Sequence, residues 1–168
     1  MRNGKNMSQP NLIVFDLDGV LINASRGKEI YLTHKRENPE EAIFHYENGG
    51  YCYLDTEISD GATALNELLD RGYSLIYLTG RRVSAKEATL KSMQNMNYPV
   101  NSCCLFMKPS KEDDTVKFKE IMLRQYQDDY NIIAFVDDKE SNRKAGDNLD
   151  IPTYETVEEL LQAIEEER

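Results

Sequence analysis

The sequence predicts an α/β fold built on a doubly wound parallel sheet. Two observations lead there. Short, continuously apolar runs alternate with stretches of helical periodicity, the pattern of strands joined by crossover helices. The residues that follow those runs are acidic, hydroxyl-bearing or basic, as suits the carboxyl edge of such a sheet, where ligands bind. A chain of 168 residues is long enough for one domain with a sizeable core.

Taken in order, residues 1–10 are polar and read as a flexible N-terminus; residues 11–168 read as one domain. Leu12–Phe15 is the first buried strand. Leu21–Asp55 breaks the alternation: it is polar and holds Asn38-Pro39 and Gly49-Gly50. It reads as a small insertion over residues 21–55, a hairpin plus a short helix hanging over the site. Ala62, Leu65, Leu68 and Leu69 share a helical face, and Gly72 is placed to end that helix. Ser74–Leu78 is the second strand. Ser84 with Glu87 forms a capping box for the next helix. Cys103–Met107 is the third strand, with both cysteines as core residues. Asp113 or Asp114 caps a helix whose inner face is Phe118, Ile121, Met122 and Gln125. Ile132–Val136 is the fourth strand and Ile151–Tyr154 a short edge strand. Thr156 with Glu159 caps a last helix that buries Val157, Leu160, Leu161 and Ile164. Crossovers between parallel strands are right-handed.

Composition narrows the class. No apolar run approaches the roughly 20 residues of a membrane span, and no signal peptide is visible. Three cysteines make no disulfide framework and fit a reducing compartment, so a cytoplasmic location is expected. The net charge of −10 argues against a general nucleic-acid binder, but residues 155–168 alone hold six Glu against one Arg. Arg26, Lys28, Lys35 and Arg36, against Glu29, make a local basic segment compatible with an anionic substrate or with a solvated surface.

The chemistry lies at the strand tips. Asp16-Leu17-Asp18-Gly19 follows the first strand, Thr79-Gly80-Arg81 the second, Lys108 the third and Asp137-Asp138 the fourth, with Lys117 opening the helix between the last two. Four carboxylates converging there repel one another; two charges about 4 Å apart cost roughly 4 kcal/mol at an effective dielectric of about 20. A cation relieves that, and oxygen ligands with room for water and a phosphate oxygen favour Mg²⁺. Phosphoryl transfer needs an in-line nucleophile, charge neutralisation and a proton for the leaving oxygen. Asp16 suits the nucleophile, Asp18 the acid and base, and Thr79 a phosphate-binding hydroxyl.

Asp16-Leu17-Asp18-Gly19-Val20, Thr79, a lysine and Asp137-Asp138, each after its own strand, resemble the four motifs of the haloacid dehalogenase superfamily, over roughly Leu12 to Gly146. The resemblance implies a phosphatase in which Asp16 is nucleophile and metal ligand. Asp18 would be acid/base and a ligand through its carbonyl, and Asp138 a third ligand, with Asp137 either behind it or bridging to the metal. Asn142 stands where the family often has an outer Asp. The motif lysine is Lys108 or Lys117. The pattern Asp114-Thr115-Val116-Lys117 resembles polynucleotide kinase 3′-phosphatase domains, which favours Lys117 and makes Gly80, Arg81 and Lys108 contacts to the substrate. The resemblance implies a nucleotide or a nucleic-acid 3′-phosphate end as substrate.

Plainer readings stand beside these. At least one of Arg81 and Arg82 is expected on the surface. His34 and His45 have no partner at zinc-ligand spacing. Tyr31, Phe44, Tyr46, Tyr51 and Tyr53 suit the small core of the insertion better than a base-stacking face. Rival functions are a phosphatase of sugars or small metabolites, a phosphomutase, and a silent module that binds phosphorylated ligands or a protein.

Overall fold

The computed structural model describes residues 8–167, so residues 1–7 of the expected flexible N-terminus lie outside it. Its centre is a parallel five-stranded sheet: β1 (Asn11–Phe15), β4 (Ser74–Arg82), β5 (Leu105–Lys108), β6 (Asn131–Val136) and β7 (Thr153–Tyr154), in the order β5-β4-β1-β6-β7. Alternation along β1 sends Ile13 and Phe15 into one core and Leu12 and Val14 into the other, all at most 1% exposed. A strand buried on both faces needs apolar residues at every position, which is why these runs are continuous. β1 lies between β4 and β6, so Asp16 is delivered to the middle of the sheet's carboxyl edge.

Helices cover both faces: α3 (Gly61–Asp70), α4 (Lys86–Asn95), α5 (Thr115–Gln127), α6 (Glu140–Asp147) and α7 (Val157–Glu166). Ala62, Leu65 and Leu68 of α3 are buried, whereas Leu69 is 39% exposed. Gly72 ends that helix at φ +89°, with its N–H donating to Leu69 and that of Tyr73 to Leu68. Thr156 caps α7 through the Glu159 N–H, and the Glu159 carboxylate accepts from the Glu155 N–H. The capping box expected at Ser84 does not form. A short 3₁₀ turn, Val83–Ala85, precedes α4, and the Ser84 hydroxyl donates instead to the Glu47 carbonyl. The third strand begins two residues late, leaving Cys103 exposed and Cys104 half-buried rather than in the core.

The insertion is more helical than its composition suggests. A two-stranded antiparallel ribbon, β2 (Ile22–Asn23) with β3 (Thr56–Glu57), forms its stem. Between them run α1 (Ser25–Glu37) and α2 (Pro39–Glu47), so the single short helix becomes two. Pro39 at the first helical position and the Asn38 side chain, which accepts from the Glu41 N–H, start α2. Tyr31 stacks on Tyr46 at 4.5 Å and His34 bonds the Tyr51 hydroxyl at 2.8 Å, so these residues hold the helices together. Phe44 and Tyr53 take no part in that core, at 66% and 76% exposed. Among the described residues, no helix is long and apolar enough to cross a membrane.

Candidate active site

The loop after β1 shapes the site. The Asp16 N–H donates to the Val136 carbonyl at 2.9 Å, tying the first and fourth predicted strands at their tips. The Leu17 carbonyl then accepts from the N–H groups of Val20, Leu21 and Ile22, which turns the chain sharply. Gly19 sits at φ +82°, and a Cβ there would overlap the Asp138 carboxylate. Glycine therefore serves both the turn and the close approach of motif-bearing loops.

Asp16, Asp137 and Asp138 each present a carboxylate oxygen within 4.8 Å of the others. Asp16 and Asp137 are buried. The two neighbours that follow β6 differ in their engagements. Asp137 is saturated: one oxygen accepts from Lys119 at 2.5 Å, and the other from the Lys139 N–H at 3.0 Å and Asn142 at 3.2 Å. Oδ1 of Asp138 is buried and has no hydrogen-bond partner. A buried carboxylate oxygen with no donor costs free energy unless a cation faces it. An all-oxygen set of this kind fits Mg²⁺. Asp16 and Asp138 would hold such an ion, while Asp137 is tied to Lys119, the Lys139 N–H and Asn142.

The lysine of the site is Lys119, not Lys117 or Lys108. Its Nζ lies 3.0 Å from Asp16 Oδ1 and 2.5 Å from Asp137 Oδ2, and the residue is 1% exposed. Lys117 is exposed; it contributes its N–H to the Asp114 cap at 2.8 Å and points away, two positions or about 200° round the helix from Lys119. Lys108 donates to the Thr115 hydroxyl at 3.2 Å, joining the end of β5 to the start of α5, and does not line the cleft. The inner face of α5 is Lys119, Met122, Leu123 and Tyr126, spaced i, i+3, i+4, i+7; Ile121 and Gln125 are exposed. The signal was present in the sequence. Lys119 begins the better apolar stripe, but a lysine is not ordinarily counted as part of one.

Burial pushes the Asp16 carboxyl up to about 7, opposed by the Lys119 ammonium and reinforced by the charge of Asp137. Burial also raises Asp138, with Asp137 adding to the effect. For Lys119, burial favours the neutral amine, yet Asp16 and Asp137 outweigh it and hold the ammonium above its usual range.

Thr79 is 1% exposed and lies inside β4, which runs on to Arg82 instead of ending at Leu78, and its Oγ1 accepts from the Arg81 N–H at 3.1 Å. Gly80 lets Thr115 approach; a Cβ there would meet the Thr115 methyl at 3.2 Å. Arg81 is a hub. Nε and Nη2 donate to the two oxygens of Asp18, at 3.0 and 2.7 Å, and Nη1 donates to Asp55 at 2.9 Å. Arg82 pairs with Glu47 of the insertion at 2.6 Å. Neither arginine is a plain surface residue: their side chains are 12% and 21% exposed. These groups line a cleft of about 550 Å³ between the sheet edge and the insertion, with Lys28 and Tyr46 on its far wall. His34 and His45 lie outside the carboxylate cluster. Asp55, at the end of a polar segment with no motif around it, carries no sequence signal of its role.

Residues 1–150 match the model of the haloacid dehalogenase superfamily, subfamily IIIB (acid phosphatase). No curated protein sequence matches the chain. Among solved structures it is similar to a haloacid dehalogenase-like hydrolase from Streptococcus pneumoniae, at 14% identity and TM-score 0.63 over 86% of this chain and 83% of that one. It is similar to a class C acid phosphatase from Bacillus anthracis with tungstate bound, at 16% identity and TM-score 0.62 over 87% and 64%. It is also similar to a chain of the Pnkp1/Rnl/Hen1 RNA repair complex, at 22% identity and TM-score 0.63. That match takes in 89% of this chain but only 43% of the other, so this chain spans less than half of that relative. At such identities the likeness is one of fold.

Proposed function

Since this chain belongs to the haloacid dehalogenase superfamily, subfamily IIIB, and is a phosphatase of that family, we propose that it is a Mg²⁺-dependent phosphomonoesterase working through an aspartyl-phosphate on Asp16. The substrate we propose is a nucleotide or the 3′-phosphate end of a nucleic acid.

One observation carries the reading: the partnerless, buried Oδ1 of Asp138 faces a site it shares with Asp16 and Asp137. Asp16, Asp138 and the Asp18 carbonyl would hold Mg²⁺, which would offset the charge of the carboxylates and of a phosphate oxygen. The chain's own groups divide the remaining work. An Asp16 oxygen attacks phosphorus in line, and the bond to the leaving oxygen breaks. Asp18 donates a proton to that oxygen, then takes one from the water that hydrolyses the aspartyl-phosphate, releasing inorganic phosphate. Lys119 keeps Asp16 oriented and offsets charge as phosphate arrives. The Thr79 hydroxyl donates to a phosphate oxygen.

The substrate class rests on the Gly80-Arg81 and Asp137-Asp138 pairs, on the likeness to the RNA repair complex, and on the basic residues at the cleft, Lys28 among them. Free thiols at Cys52, Cys103 and Cys104 suit a cytoplasmic setting.

The test is turnover of p-nitrophenyl phosphate with and without Mg²⁺, then of a 3′-phosphate oligonucleotide, a 5′-nucleotide and a sugar phosphate. Activity should require Mg²⁺, vanish in Asp16→Asn and be highest on the 3′-phosphate. Turnover persisting in Asp16→Asn excludes the covalent route. A preference for the sugar phosphate replaces the substrate class and leaves the chemistry standing.

A further inference from the structure

The acid/base Asp18 is engaged elsewhere. Both its oxygens accept from the Arg81 guanidinium, so its carboxyl group is held against the arginine instead of facing a leaving group. The far side of that guanidinium is anchored. Nη1 donates to Asp55 at 2.9 Å and to the Thr89 hydroxyl at 3.4 Å, and Ser92 donates to the same Asp55 oxygen at 3.2 Å. The Asp55 side chain is 3% exposed and that of Asp18 is 45% exposed. A buried carboxylate held from two sides stays; an exposed one held only by the fork can exchange.

Carboxylate and phosphate present the same pair of oxygens to an arginine fork. In the proposed reaction Asp18 serves the leaving oxygen, so the fork that holds it lies beside the leaving group, in the cleft that Lys28 and Tyr46 also line. We propose that Asp55 is a positioning residue that fixes Arg81 as a two-pronged receptor for a second phosphate carried by the leaving group, and that this phosphate displaces Asp18 and frees it for catalysis. The inference rests on the phosphatase reading above and deepens it: the preferred substrates are phosphomonoesters with a second phosphate on the alcohol. With a singly phosphorylated substrate Asp18 stays engaged and turnover is slow.

The experiment compares kcat and KM for a nucleoside 3′-phosphate and the matching nucleoside 3′,5′-bisphosphate, in the full chain with Mg²⁺. Wild type should prefer the bisphosphate by about tenfold or more in kcat/KM, the scale of one charge-assisted fork. In Asp55→Asn, which keeps size and removes charge, that preference should fall below roughly threefold, with the loss confined to the bisphosphate. Arg81→Lys, which keeps charge and removes the fork, should abolish the preference too. Equal kcat/KM for the two substrates in wild type overturns the inference alone. So does an Asp55→Asn enzyme that keeps the preference, or loses activity equally on both. A wild type inert towards both nucleotides and p-nitrophenyl phosphate overturns the phosphatase reading with it. Should Asp55→Asn not fold, Ser92→Ala removes a single bond to Asp55; a weakened preference supports the inference and an unchanged one overturns it.

Discussion

Lys119 is a cation buried to 1% exposure, and it stays charged only because Asp16 and Asp137 stand beside it. Removing one member of such a group leaves its partners uncompensated, so its effect should be large. Lys119→Ala is expected to lower kcat/KM on an aryl phosphate by about 10²–10³-fold, the scale of other preorganised charge contacts. Lys117→Ala, at an exposed position, should stay within about twofold of wild type. Steady-state kinetics of the two purified variants decides between them, and a larger loss in Lys117→Ala would contradict the placement. The residue types at this site were legible from the sequence: Asp16, Asp18, Asp137 and Asp138 follow their strands, and Thr79 lies near the end of β4, three residues before Arg82. The lysine was not, because four lysines within 12 residues (Lys108, Lys111, Lys117 and Lys119) compete, and helix phase decides between Lys117 and Lys119.

At the scale of elements, caps and turns set that phase. The Asp114 carboxylate accepts from the Lys117 N–H and so decides where α5 begins, which in turn decides that Lys119 faces the sheet. Asp114→Ala should cost about 1 kcal/mol, an expected drop of about 2–4 °C in Tm by differential scanning calorimetry. Gly19 is the corresponding device in the β1 loop. Gly19→Ala places a methyl group at φ +82° against the Asp138 carboxylate. Backbone strain of about 1–2 kcal/mol is expected, together with weakened Mg²⁺ affinity, measurable as a higher Mg²⁺ concentration for half-maximal activity. The insertion was misread at this scale. Its stretch 25–37 is polar and lacks a strong apolar stripe, and its helices are held mainly by aromatic contacts such as Tyr31 on Tyr46, which pair residues across two helices.

For the whole molecule, pH and metal act through one linkage. The Asp16 carboxyl is held near pKa 7 in the folded protein, against 3.8 for an unperturbed aspartate. Between those values the folded state binds a proton that the unfolded state has lost. The metal-free protein should therefore lose stability from this group as pH rises from about 4 to about 7. Mg²⁺ at the proposed site would have to displace that proton, so the gain in Tm on adding Mg²⁺ should grow between about pH 6 and pH 8. Thermal melts with and without Mg²⁺ across that range check it; a gain that shrinks with pH contradicts it.

The fold class, most strand positions and the gathering of Asp16, Asp137 and Asp138 at one sheet edge were legible in the sequence alone. The physical reason is local: short apolar runs bounded by turn signals fit strands buried on both faces, and the sheet edge receives whatever follows them. The tertiary structure alone decided which lysine meets Asp16, that Asp138 rather than Asp137 keeps a free oxygen, and that Asp55 holds Arg81 against Asp18. Those outcomes depend on helix rotation and on contacts between segments distant along the chain, such as Arg81 with Asp18, 63 positions away. No periodicity in a single sequence encodes such a meeting.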